Sequence, residues 1–202
     1  LKGRPVHRSG PLIRHLSTCG PRARVIQQAQ HVVSQTTSIL DAIPNEQYGQ
    51  TLQPFNASIG GHVRHCVDLF QQLIARKPGQ VVHYDQRSES RGGAVETELA
   101  AARAVLTELK GRLEALGQQP DLDSALDAPV QVAFMDGQSF KEYQVSSTLG
   151  RELSFVAHHA THHLAMVHLM AQQLDCAVDR SVGLAPSTAK AKAEEESRQG
   201  RP

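Results

Sequence analysis

Apolar residues recur at three- and four-residue steps along four stretches of the chain, the mark of helices with one buried face. The first stretch runs from Pro21 to Ile43. Ile26, Ala29, Val33, Thr36, Leu40 and Ile43 share a face, Pro21 suits an opening turn, and Pro44 is a stop. The second covers Ser58 to Arg76, with Ile59, Val63, Cys66, Val67, Phe70, Leu73 and Ile74 as its stripe and Lys77-Pro78-Gly79 behind it. The third runs from Ala94 to Leu116, carries Val95, Leu99, Ala102, Leu106, Leu109, Leu113 and Leu116, and meets Gly117. The fourth and longest covers Ser147 to Ala177. Ser146, Ser147 and Thr148 offer capping hydroxyls, and Leu149, Leu153, Val156, Ala160, Val167 and Met170 form its apolar side.

Residues Val130 to Val145 break this rhythm. They read as a short hairpin around Asp136-Gly137, or as an extended loop. Four amphipathic helices with at most one minor hairpin predict an all-α four-helix bundle. The long connections, Val81 to Gly93 and Gln118 to Ser146, imply that not all neighbouring helices are joined by tight turns.

Composition narrows the function. The chain has 202 residues, 21 Lys plus Arg, 20 Asp plus Glu and a net charge of +1, without the strongly basic balance of a nucleic-acid binder. No apolar run approaches the ~18 residues of a membrane span. Three scattered cysteines make neither a disulfide framework nor a Cys-rich zinc module. Free cysteines fit a reducing interior, so a cytoplasmic location is expected. The first 40 residues hold six basic residues and no acid. Residues 1–20 therefore read as a disordered basic segment, with an organellar (mitochondrial or plastid) transit segment as the functional alternative. The charged end, 189–202, reads as a disordered tail. The folded domain is then 21–188.

The chemistry lies in histidine. There are 11, and His158, His159, His162 and His163 fall within six residues. Residues four apart share a helical face, so His159 pairs with His163 and His158 with His162. Either pair can chelate one divalent ion. The second helix offers His62 and His65, with Asp68 three residues on. Such groups on facing helices build a metal site inside a bundle. Three imidazoles leave a coordination position open, as catalytic sites do. Zinc, nickel, iron and manganese all suit imidazole. Spacing alone does not choose between the two pairs of the fourth helix.

Several runs resemble the DinB-like (DinB/YfiT) family of metal-binding four-helix bundles. They are Ser58-Ile59-Gly60-Gly61-His62-Val63-Arg64-His65, His65-Cys66-Val67-Asp68, Tyr84-Asp85-Gln86-Arg87, Ser147 to Leu153 followed by His159-Ala160-Thr161-His162-His163, and Ala185-Pro186-Ser187-Thr188. The resemblance extends from Val25 to Thr188. It implies His65, His159 and His163 as the ligands and leaves His158 and His162 as neighbours. Characterised relatives include thiol S-transferases using bacillithiol or mycothiol, a mycothiol-dependent isomerase and domains of ergothioneine-forming enzymes. The Arg-x-Arg run that follows Tyr-Asp in close relatives is here Gln86-Arg87-Ser88-Glu89-Ser90-Arg91.

The expected function is therefore metal-dependent chemistry on a small-molecule substrate: a thiol S-transferase with a low-molecular-weight thiol, or a hydrolase. The alternative is a non-catalytic metal-binding or interaction bundle. His62, Asp68, Glu152 and His162 are candidates to orient the ligands from behind, since metal-bound histidine donates its second N–H to such groups. Arg64 and Arg87 are candidates to meet an anionic thiol. Cys66 reads as a small buried hydrophobe. A homodimer is expected on the ground that single bundles often pair through exposed apolar faces.

Overall fold

The protein is described here from a computed structural model, which covers residues 20–85 and 92–199. The basic opening segment, Cys19 and Arg87 lie outside the described residues.

Four long helices carry the fold: α1 (Pro21–Ala42), α3 (Ile59–Ile74), α5 (Leu99–Gly117) and α7 (Leu149–Gln173). Short helices α2 (Asn45–Tyr48), α4 (Ala94–Thr97) and α6 (Leu122–Asp127) lie between them. α1 packs on α5 and α7, and α3 packs on the same two, so α1 and α3 sit across one diagonal. Chain neighbours are thus not always bundle neighbours, which accounts for the long connections. The core is aliphatic. Ile39, Leu40, Ile59, Leu73, Leu113, Leu153 and Leu164 are fully buried, with Tyr48 and Phe70 as the large aromatics among them.

The helix ends follow local chemistry. Ser58 Oγ accepts from Gly61 N at the start of α3, and Thr148 Oγ1 accepts from Arg151 N at the start of α7. Of the three expected capping hydroxyls before α7, Thr148 is the one used: it stands directly before the helix, while Ser147 Oγ donates to Glu152 and Ser146 Oγ accepts from Gln131. The third expected helix is broken: Glu98 is extended (φ −118°, ψ 112°) and separates α4 from α5. The break lets α4 turn back onto α3. Tyr48 Oη donates to Val95 O at 2.7 Å, and Gly60 lies so close to α4 that a Cβ there would be 1.9 Å from Glu96 O. Only glycine fits at that crossing.

The hairpin is real and belongs to a three-stranded sheet. β2 (Pro129–Met135) pairs antiparallel with β3 (Glu142–Thr148) and parallel with the two-residue β1 (Val82–His83). The turn differs from a tight Asp-Gly turn. It is the six-residue loop Asp136–Lys141, closed by Asp136 N donating to Lys141 O, with the Asp136 carboxylate accepting from Gln138 N and Ser139 N. Phe140, not Gly137, takes the left-handed conformation (φ 53°). The charged end also differs from the expected disordered tail. α8 (Pro186–Gln199) is helical and almost wholly exposed. Its Ala, Lys and Glu residues are strong helix formers, and Lys190 pairs with Glu194 one turn on. Among the described residues, no helix is long and apolar enough to cross a membrane.

Candidate metal centre

α3 and α7 pack against each other, and the seam between them holds four histidines. His62 and His65 occupy the first two turns of α3. His159 and His163 lie one turn apart in the middle of α7. The Nε2 atoms of His65 and His163 each lie 3.0 Å from Nε2 of His159, and all three fall within 4.8 Å of one another. Three like atoms converge in a half-buried place. Two nitrogens of 2.0–2.1 Å bonds at a tetrahedral ion would stand about 3.3 Å apart. The donor set therefore fits a divalent cation.

The electrostatics fit as well. Burial pushes the His163 imidazole down to about 3, and the rings of His65, His159, His62 and His162 add to that shift. Burial likewise lowers His65, with His159 and Arg64 adding and Asp68 opposing, and it lowers His159, helped by His162. Four cationic rings so close would repel. The neutral form is favoured, and neutral imidazole is the form that ligates.

The other expected site residues divide. His62 is brought to the centre: its Nδ1 lies 2.8 Å from Nδ1 of His163. If His163 ligates through Nε2, its Nδ1–H donates to His62 Nδ1. That fixes the proton of His62 on Nε2, a buried atom with no hydrogen-bond partner among the described residues. His162 packs its exposed ring edge-on to His163, with centroids 5.7 Å apart. His158 is exposed. Asp68 is buried and accepts from Arg64 Nη1 at 2.6 Å, close enough to His65 to act on its charge.

Glu152 is placed elsewhere. Fully buried two turns before His159, it accepts from Tyr84 Oη (2.8 Å), Ser147 Oγ (2.6 Å) and Arg151 Nη1 (2.6 Å), and it pins the sheet to α7. Arg64 is also committed. It is 8% exposed and held by Asp68 and by Glu96 Oε2 at 2.8 Å, so its charge is answered within the protein. Cys66 is buried, and burial pushes its thiol up to about 12, which removes it as a nucleophile.

A cleft of about 350 Å³ opens beside the histidines, lined by Ser58, Gly61, His62, Arg64, His65, Glu96 and His163 with Asn56 and Ala57. Glu96 had no signal in the sequence, because it arrives from α4, 31 residues from His65. Phe155 was legible only as another apolar residue of α7. Its ring lies 5.8 Å from that of His159.

Comparison with known proteins agrees with this architecture. YfiT from Bacillus subtilis, described as a probable metal-dependent hydrolase with an unusual four-helix bundle topology, superposes with a TM-score of 0.52 at 15% identity, over 86% of this chain and 97% of YfiT. FK506-binding protein 5 of Rhizopus delemar is 31% identical over 109 residues, 54% of this chain. The chain spans about a quarter of that relative's length (26%). The model of the DinB superfamily matches residues 26–167, which include α3, the sheet and the four clustered histidines of α7, and the chain belongs to that superfamily.

Proposed function

We propose that this chain is a metal-dependent enzyme acting on a small molecule, with His65, His159 and His163 as the ligands of one divalent ion. The observation that supports this reading is the convergence of their three Nε2 atoms, those of His65 and His163 each 3.0 Å from that of His159, beside an open cleft. A closed structural site would have a fourth protein ligand; among the described residues no fourth histidine, cysteine or carboxylate joins the three.

When bound, the ion supplies Lewis acidity, which lowers the pKa of a coordinated water or thiol and polarises a substrate oxygen. The chain's own residues do the rest. His62 orients His163 through the contact between their Nδ1 atoms and lines the cleft beside it. Glu96 and Asp68 hold Arg64 in place, so the guanidinium at the cleft wall is fully answered and the wall carries a slight excess of negative charge. Phe155 covers His159 and keeps water from one side of the ligand ring. Among the described residues, the carboxylates near the histidines, Asp68 and Glu96, are both engaged by Arg64, and no other stands there to serve as a general base. That favours a reaction whose nucleophile is activated by the ion itself, and a thiol is the nucleophile that needs least further help. Hence thiol S-transfer is our preferred reading, with hydrolysis as the second, in line with the description of YfiT.

The test is a paired assay on protein stripped of metal and reloaded separately with zinc, nickel, iron and manganese. Conjugation of electrophiles to glutathione, bacillithiol and mycothiol is measured beside hydrolysis of small esters and amides. The reading predicts turnover that requires reloading and is lost in His159→Ala. Turnover that survives stripping, or no turnover on either panel with any ion bound, would contradict it and leave a non-catalytic metal-binding bundle.

A further inference from the structure

The end of the bundle opposite the histidines holds a second cleft, of about 480 Å³. Leu73 of α3 lies about 12 Å of helix beyond His65, and Leu149 of α7 about 15 Å before His159, so the two sites do not overlap. Leu73, Ile74, Leu116, Pro129 and Leu149 give this cleft an apolar floor. Two cations stand at its edge, Arg76 just past the end of α3 and Arg112 on α5.

The two arginines are not equivalent. Arg112 donates through Nε and Nη2 to Glu108 Oε1, at 2.9 and 2.7 Å, so its charge is answered. Arg76 has a buried Nε with no hydrogen-bond partner among the described residues. A guanidinium N–H taken out of water and left unbonded is unfavourable, and such groups are nearly always satisfied. The same two arginines border an adjoining polar cleft of about 380 Å³, lined also by Gln71, Gln72, Gln80 and Glu108, so the head-group position is reached from solvent. Each cleft lies in the size range of small-molecule sites.

We propose that this end of the bundle binds an amphiphilic anion: a single carboxylate or phosphate head on Arg76, with an aliphatic tail laid over Leu73, Ile74, Leu116, Pro129 and Leu149. The Arg76 guanidinium, whose Nε has no partner among the described residues, supplies the head-group contact and the apolar floor supplies the tail contact. Neither the metal nor the histidines take part.

Calorimetric titration of the full chain tests this, with decanoate below its micelle concentration, octyl phosphate, decanol and acetate as probes. Decanoate is expected to bind one per chain. Acetate, which lacks the tail, and decanol, which lacks the charge, are expected to bind at least about tenfold more weakly. Arg76→Met keeps the aliphatic stem and loses the charge, and is expected to weaken decanoate about tenfold. Ala115 lines the cleft from an exposed position, so Ala115→Trp fills it without disturbing the core and is expected to abolish binding. His163→Ala is expected to bind decanoate as the parent does, which separates this site from carboxylate binding at the metal centre. Octyl phosphate binding more tightly than decanoate would assign the head group to phosphate and uphold the site. No saturable binding of either anion would overturn the proposal, as would binding unchanged in both Arg76→Met and Ala115→Trp. If Arg76 serves only to complement the carbonyls at the end of α3, Arg76→Met will lower the melting midpoint and leave decanoate binding unaltered, which also overturns it.

Discussion

Two polar clusters, one buried and one half-buried, lie two turns apart on α7, and they are built on opposite plans. Around Glu152, one carboxylate faces three donors: the hydroxyls of Tyr84 and Ser147 and the guanidinium of Arg151. Charge and hydrogen bonds are complete within the protein. Around His159, three ring nitrogens of the same kind face one another, and protons alone satisfy them poorly. A closed cluster holds elements together. A cluster of converging like atoms suits something from outside, and these three donors suit a divalent cation. The lesson is that burial and polarity do not by themselves mark a functional site; the mismatch of donors and acceptors does.

That contrast can be broken by substitution. Glu152→Ala should cost the most stability, about 3 kcal/mol, because it strands the Tyr84 and Ser147 hydroxyls and unties β3 from α7. Chemical denaturation of metal-free protein checks this, and metal affinity of the folded fraction should be unchanged. His62→Ala should do the reverse. It should weaken metal binding about 10- to 100-fold, as loss of a partner behind a ligating histidine does, with little change in the unfolding midpoint of the metal-free protein. Tyr84→Phe removes one of three donors to Glu152 and should cost about 1 kcal/mol in the same denaturation experiment. Acid acts on the histidine cluster of the metal-free protein. His62, His65, His159 and His163 are all lowered in the fold, His163 to about 3, so below the unfolded histidine value the unfolded chain binds more protons than the native one. Stability should therefore be full above about pH 6.5 and fall as pH drops toward 3, modestly because the rings are only half-buried. Replacing His163 by Gln should flatten that slope.

Much of the fold was legible in the sequence, because helical period is a local signal. The stripes from Ile26 to Leu40, Ile59 to Leu73, Leu99 to Leu113 and Leu153 to Met170 are the buried faces of α1, α3, α5 and α7. What was not legible depends on distant partners. The two residues of β1 pair with β2 some 50 positions later, and no local pattern announces that. The break at Glu98 follows from the approach of α4 to Gly60. Asp136-Gly137 looks like a two-residue turn until the hydrogen bonds of the Asp136 carboxylate are seen to hold a longer loop. At the site, spacing named two pairs of histidines on the last helix, and the family resemblance singled out His159 and His163. The structure brings these two to His65 and leaves His158 and His162 exposed. Glu152 illustrates the limit of spacing. Seven residues before His159 puts it on the same face of α7, but its hydroxyl and guanidinium partners, one of them from β3 and one from the connection after β1, could be found only in three dimensions.

The most direct test of the account is metal stoichiometry by mass spectrometry on untagged protein, measured beside His65→Ala, His163→Ala and Glu152→Gln. The account predicts one divalent ion per chain in the parent and in Glu152→Gln, and none in either histidine variant. A parent that takes up no ion after incubation with zinc, nickel, iron or manganese, or histidine variants that keep it, would contradict the claim that the three converging rings form a metal centre.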